Sequence, residues 1–124
     1  MMFKWLFGKQ KPNQDRLTMN DIDTDFRVVG VSFDNSNGMN RQNLLKKCVP
    51  DQEVTLKRKP SKKYPEAIEV WTKFGQIGFI DSHDAVDLAE IIDNGTRLSV
   101  KIKKITGGNA EKPNFGCIIS VQEK

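Results

Sequence analysis

Ala67-Ile-Glu-Val-Trp71 and Gln76-Ile-Gly-Phe-Ile80, then Ser82-His-Asp-Ala-Val-Asp-Leu-Ala-Glu-Ile-Ile-Asp93 and Leu98-Ser-Val-Lys-Ile-Lys103, form the run that decides the fold. The first two pieces are short, rich in β-branched and aromatic residues, and separated by a turn at Lys73–Gly75, which predicts a hairpin. The third has helical spacing, with Ala85, Leu88, Ala89 and Ile92 on one face. Ser82 is its expected N-cap, Asp84 suits the first turn, and Asn94-Gly95 closes it. In the fourth, Leu98, Val100 and Ile102 alternate with Ser99, Lys101 and Lys103, the pattern of a half-buried strand.

Working outward, Phe26-Arg-Val-Val-Gly-Val-Ser-Phe33 reads as a strand closed by the turn residues Asp34-Asn-Ser-Asn-Gly38. Asn40–Cys48 reads as a short helix with Leu44, Leu45 and Cys48 on its apolar edge and Pro50 as its stop. Glu53–Lys57 is a strand with Val54 and Leu56 on one face, and Pro60 to Pro65 is a loop. Gly107–Asn114 is a turn or loop, and Cys117–Val121 is the last strand. The order is β-α-β-β-β-α-β-β, a mainly β (α+β) chain whose six strands and two short helices suggest a compact, partly open barrel. Small barrels of the oligonucleotide-binding kind are built at this scale.

A chain of 124 residues holds one domain with one modest core. Residues 1–24 read as a flexible basic/acidic arm and residues 25–122 as the folded part. The net charge of +4 is uneven. Lys4, Lys9, Lys11 and Arg16 in the arm face only Asp15, whereas the rest is nearly balanced. A basic arm favours polyanions, and it equally serves as a solubilising tail. Phe3, Trp5, Leu6 and Phe7 either dock on a partner or fray as a terminus. Cys48 and Cys117 fit no metal or redox spacing, and their apolar surroundings suit buried free thiols in a reducing compartment. No stretch has the length of a membrane-crossing helix or the form of a signal peptide, so the cytoplasm is the default.

Catalytic chemistry is not visible. Ser82-His83-Asp84 has the letters of a hydrolytic triad, but consecutive residues on a helix do not face one another. Asp21-Ile-Asp-Thr-Asp25 resembles the start of a calcium loop, yet Phe26 and Ser32 stand where such a loop needs glycine and glutamate. There is no phosphate-binding glycine loop and no His/Cys ligand cluster. The expectation is a binding module with no catalytic residue, metal or cofactor.

Lys57-Arg-Lys-Pro-Ser-Lys-Lys63 places five cations in seven residues, and Tyr64 follows. Cations neutralise phosphates and an aromatic ring gives a base a stacking surface, which is a signature of single-strand binding. A lysine-blunted strand end has the same composition, and both readings stand. Asp81, Asp84, Asp87, Glu90 and Asp93 recur every three residues opposite the apolar helix face. Such a stripe is either a solvated surface or a protein-docking one, and it repels phosphate in both cases.

Val28-Val-Gly-Val-Ser-Phe33, Asn40-Arg-Gln42, Val54-x-Leu56-x-Arg58-x-Pro60, Tyr64-Pro-Glu-Ala-Ile68, Gly75-Gln-Ile-Gly78, Asp93-Asn-Gly95 and Gly116-Cys-Ile-Ile-Ser-Val121, in that order and spacing, resemble the HIRAN domain. The resemblance implies a modified oligonucleotide-binding barrel that binds single-stranded DNA, in the best-understood members at a free 3′ end. It implies DNA repair or processing as the setting, with a helicase or nuclease as the kind of protein partner. Carried over by position, Ser32, Phe33 and Asp34 match the base-contacting segment, though relatives have a basic residue at Ser32. Tyr64 matches the tyrosine of the family's Tyr-Asp-x-Asn-Ala pattern. Here the loop is one residue short, and Glu66 is the candidate replacement for the aspartate that meets the terminal hydroxyl. Phe79 and Ser82 stand where DNA-binding relatives have His and Lys, and Phe115 supplies a late aromatic. Lys57, Arg58, Lys59, Lys62 and Lys63 would engage phosphates. The alternative is a protein-interaction module that keeps the fold and uses Asp84, Asp87, Glu90 and the N-terminal arm.

Overall fold

The computed structural model describes residues 17–124. The arm's cations up to Arg16 and its Phe3–Phe7 cluster lie outside the described residues. Eight regular elements follow in the expected order. They are β1 (Asp25–Val29), α1 (Arg41–Leu45), β2 (Thr55–Arg58), β3 (Ile68–Thr72), β4 (Gly75–Ile80), α2 (Ser82–Asp93), β5 (Leu98–Gly107) and β6 (Phe115–Glu123). A 3₁₀ turn at Met19–Asp21 precedes them. Asp21 closes a capping box with Thr18 there, and Met19 is buried in the core.

The strands form one antiparallel sheet in the order β2-β3-β4-β1-β6-β5. The sheet curls until the segments beside its two outer strands meet. Val54 N–H donates to Val100 O at 3.0 Å, Ile102 N–H to Gln52 O at 2.9 Å and Asp51 N–H to Ile102 O at 2.7 Å. Register shifts between Val70 and Trp71 and between Ile102 and Lys104 supply local twist for this curling. The result is a mainly β half-barrel with two helices. Ile68, Val70, Ile77, Leu88, Ile91, Ile102, Ile119 and Val121 fill it, all fully buried. Leu44 and Leu45 of α1 join the same core.

Several boundaries differ from the sequence reading for identifiable reasons. β1 ends at Val29, because Gly30 takes a positive φ of 72° and turns the chain. Val31, Ser32 and Phe33 therefore lie in a turn instead of continuing a strand. α1 starts after Asn40, whose side chain caps Asn43 N–H, and it ends at Leu45 instead of Cys48. β2 begins at Thr55, since Glu53 and Val54 pair across the seam with β5. Ser82 is the first helical residue of α2, and the N-cap is Asp81, which accepts from His83 N–H at 3.0 Å. On α2, Ile91 is fully buried, while Ile92 lines the groove at the barrel seam and is half-buried. β5 and β6 are longer than predicted because they pair with each other along nearly their whole length.

Cys48 and Cys117 are free and buried. Burial pushes the Cys117 thiol up to about 12, so it stays protonated and unreactive at neutral pH. Among the described residues no helix is long and apolar enough to cross a membrane. No group of three or more His, Cys, Asp or Glu among them could hold a metal ion.

Candidate nucleic-acid interface

The turn at Gly30 shapes a largely apolar surface cavity. It swings Phe33 beside the β1–β4 pair, where Val29 stands opposite Phe79. Arg41, the first residue of α1, closes the turn from above. Its Nε donates to Asn35 Oδ1 at 2.7 Å and its Nη1 to Gly30 O at 2.9 Å. The guanidinium carbon lies 5.5 Å from the Phe79 ring centroid. A Cβ at Gly30 would sit 3.3 Å from Arg41 Nη1 and 3.7 Å from Phe33 Cδ2, so these groups converge on the glycine.

The opposite wall comes from the loop between β2 and β3. Ser61 Oγ accepts from Tyr64 N–H at 3.0 Å, and Tyr64 O accepts from Ser61 N–H and Ala67 N–H. These turns present the Tyr64 ring and bring Glu66 into the same wall. Phe33, Arg41, Tyr64, Glu66 and Phe79, with the start of α2, enclose a cavity of about 540 Å³. Phe33 is 67% exposed and Tyr64 49%, so both rings are available to a ligand.

Two charged groups in this cavity stand out. Glu66 Oε2 is buried and has no hydrogen-bond partner. Arg41 is only 7% exposed. Burial pulls its pKa below the ordinary value, opposed by the charges of Glu69 and Asp34. It remains a cation, as arginine does in proteins. A guanidinium removed from water, with donors still uncommitted, is a site for an anionic oxygen.

The predicted residues divide by place. Phe33, Tyr64, Glu66 and Phe79 meet in the cavity, joined by Ser82 at its edge. Ser32 is exposed on the turn beside it, and Asp34 accepts from Asn40 Nδ2 at 2.8 Å. Lys57, Lys59, Lys62 and Lys63 are exposed, and Lys63 Nζ lies 5.4 Å from the Tyr64 ring centroid. Arg58 is drawn elsewhere. Its donors go to both Asp93 carboxylate oxygens at 3.0 and 3.1 Å, to Ala67 O and to Pro65 O. This clamps the loop to the C-terminal end of α2, and the Arg58 hydrogen bond holds the Asp93 carboxyl below its ordinary pKa. Phe115 lies in a separate groove with Lys112 and Pro113, held by Gln42, which bonds both its N–H and its C=O. Along the acidic helix face, Asp81 meets Arg27 at 3.5 Å and Asp93 meets Arg58. Val86, 55% exposed, lies on the outward side of the same helix.

Sequence reasoning missed Arg41. A single arginine at a loop–helix junction carries no compositional signal, and its importance comes from closing the Gly30 turn. The pairing of Lys57 with Trp71, ammonium 4.1 Å from the ring centroid, also went unread.

A curled six-stranded sheet with an aromatic pocket where the first strand exits defines a small barrel of the oligonucleotide-binding type. The HIRAN domain matches residues 23–122, and the chain belongs to the HIRAN domain family. Two solved structures share the fold. One is the crystal structure of a protein from Lactobacillus plantarum, with TM-score 0.60 and 20% identity, covering 81% of this chain and 93% of that one. The other is the HIRAN domain of human HLTF, with TM-score 0.57 and 22% identity, covering 80% of this chain and 72% of that one. At these identities the likeness is one of fold. No curated protein sequence matches the chain.

Proposed function

We propose that this chain binds single-stranded DNA and receives a free 3′ end in the Phe33–Tyr64–Phe79 pocket, acting in DNA repair or processing. The observation that carries this reading is Glu66, a residue of the pocket wall whose Oε2 is buried without a partner. A carboxylate only accepts hydrogen bonds, and a terminal hydroxyl donates one. Leaving a buried acceptor unpaired costs about 1–3 kcal/mol, more for a charged one, and a ligand hydroxyl would recover that cost. Glu66 thus takes the part of the aspartate that the shortened loop lacks. Phe33, Tyr64 and Phe79 offer faces for the terminal bases. Arg41 meets a phosphate at the pocket, and Lys59, Lys62 and Lys63 meet phosphates at its rim.

A salt titration by fluorescence anisotropy tests binding as such. The association constant should fall linearly on a log–log plot against salt, with a slope of about −0.7 per phosphate contacted. Tyr64→Ala, which removes an exposed ring, should weaken binding by about tenfold. Absent or salt-insensitive binding would overturn the reading.

A further inference from the structure

We infer that the bound strand continues from the pocket along the outer face of β3, with Trp71 as a second base-stacking platform and Lys57 and Lys59 beside successive phosphates. This rests on the proposed 3′-end binding and extends it to a footprint and a polarity.

The register places these residues. Residues directly opposite in antiparallel strands share a sheet face. Lys57 stands opposite Glu69, and Glu69 opposite Phe79, whose ring lines the pocket. On β3, Ile68, Val70 and Thr72 are buried, while Glu69 and Trp71 are half-buried and occupy the outer face. Trp71 is therefore one outer-face position beyond the Phe79 row, about 7 Å along the strand. Lys59 N–H bonds Ala67 O, so Lys59 is in register with the pocket wall one step before Lys57. Arg58 between them turns the other way, to Asp93 of α2. The two outer lysines are thus spaced by the same two-residue step, which matches successive phosphates of an extended single strand.

Local contacts prepare the platform. Trp71 Nε1 donates to Glu69 Oε1 at 2.9 Å, which fixes the ring plane. Lys57 Nζ lies over one face of the ring, 4.1 Å from its centroid, and a bound phosphate would draw it off that face. The acid on this strip, Glu69, faces the positive field of Arg41. Beyond Trp71, the β3–β4 turn carries Phe74 with Lys47 and Lys73 ammoniums 5.7 and 5.2 Å from its ring centroid. Cations continue on that side, and with the 3′ end in the pocket the 5′ side runs past Trp71 toward Phe74.

Trp71 and Trp5 are the two tryptophans, so Trp5→Phe leaves Trp71 as the reporter. The full chain with that substitution is titrated with a thymidine dinucleotide and a hexanucleotide, both ending in 3′-hydroxyl, while anisotropy and tryptophan emission are read together. The expected result is binding of both, with Trp71 quenched by the hexanucleotide alone. The hexanucleotide should bind about tenfold more tightly. Lys57→Glu should erase that length advantage by weakening hexanucleotide binding far more than dinucleotide binding, without touching the core. Unquenched hexanucleotide binding, or a length advantage that survives Lys57→Glu, would overturn the platform while leaving the pocket intact. Binding of neither strand would overturn the pocket itself, and the platform with it.

Discussion

Replacing Gly78 with alanine is expected to remove much of the stability of the fold. Gly78 lies in β4 with φ of 156°, and a Cβ there would fall 2.4 Å from Val29 O and 2.7 Å from Val28 Cγ1. The first is backbone of the neighbouring strand, so relief requires separating β1 from β4. That pairing sets Val29 opposite Phe79 and makes the floor of the pocket. The cost is roughly 4 kcal/mol or more, against a total stability of about 5–15 kcal/mol for a domain. Urea unfolding followed by circular dichroism should show a collapsed midpoint or no cooperative transition. A midpoint near that of the unaltered chain would mean β1 and β4 do not approach this closely.

The second large effect is on binding. Arg41→Met is expected to weaken single-stranded DNA binding by about a hundredfold, the scale for removing one side of a desolvated, hydrogen-bonded charge contact. It should also cost about 2 kcal/mol of stability, because Asn35 Oδ1 and Gly30 O lose their donors. Arg41→Lys keeps the charge but not the planar fork, so it should recover binding only in part. Anisotropy and thermal melting on the same samples separate the two effects. An Arg41→Met protein that melts lower yet binds DNA as tightly as the unaltered chain would reduce Arg41 to a scaffold for the turn.

These effects turn on residues of unequal visibility in the sequence. The order of strands and helices was legible because periodicity is local: alternation marks Leu98–Ile102, and helical spacing marks Ala85–Ala89. Element ends were less so. Phe26–Phe33 reads as one β-rich run, and only the positive φ of Gly30 shows where the strand stops. Asp81 and Ser82 are both good capping residues, and the backbone at Asp81 decides between them. Within the site, Phe33, Tyr64, Glu66 and Phe79 were nameable from a family pattern, and the structure brings them to one cavity. Phe115 and Arg58 carry equal chemical promise in the text, but distant partners hold them elsewhere: Gln42 for one, Asp93 for the other. Arg41 and Trp71 gain their meaning from contacts across a turn and across strands, which no local window contains.

The Lys57–Lys63 stretch shows the same sorting by structure. As composition it is five equivalent cations. In the fold, Arg58 is a structural clamp, Lys57 lies against Trp71, Lys59 is in register with the pocket wall, and Lys62 and Lys63 are exposed, with Lys63 near the Tyr64 ring. A uniform loss of charge over this stretch would therefore mix a folding defect with a binding defect. Lysine substitutions alone avoid that confusion.

The most direct test concerns the end of the strand. Matched oligonucleotides ending in 3′-hydroxyl or 3′-phosphate are compared by anisotropy at one salt concentration, with the unaltered chain and with Glu66→Ala. The 3′-hydroxyl strand should bind more tightly to the unaltered chain by about tenfold or more, since a terminal phosphate loses the hydrogen bond and confronts the Glu66 carboxylate. Glu66→Ala should narrow that difference. Equal affinity of the unaltered chain for both ends would contradict 3′-end capture at Glu66.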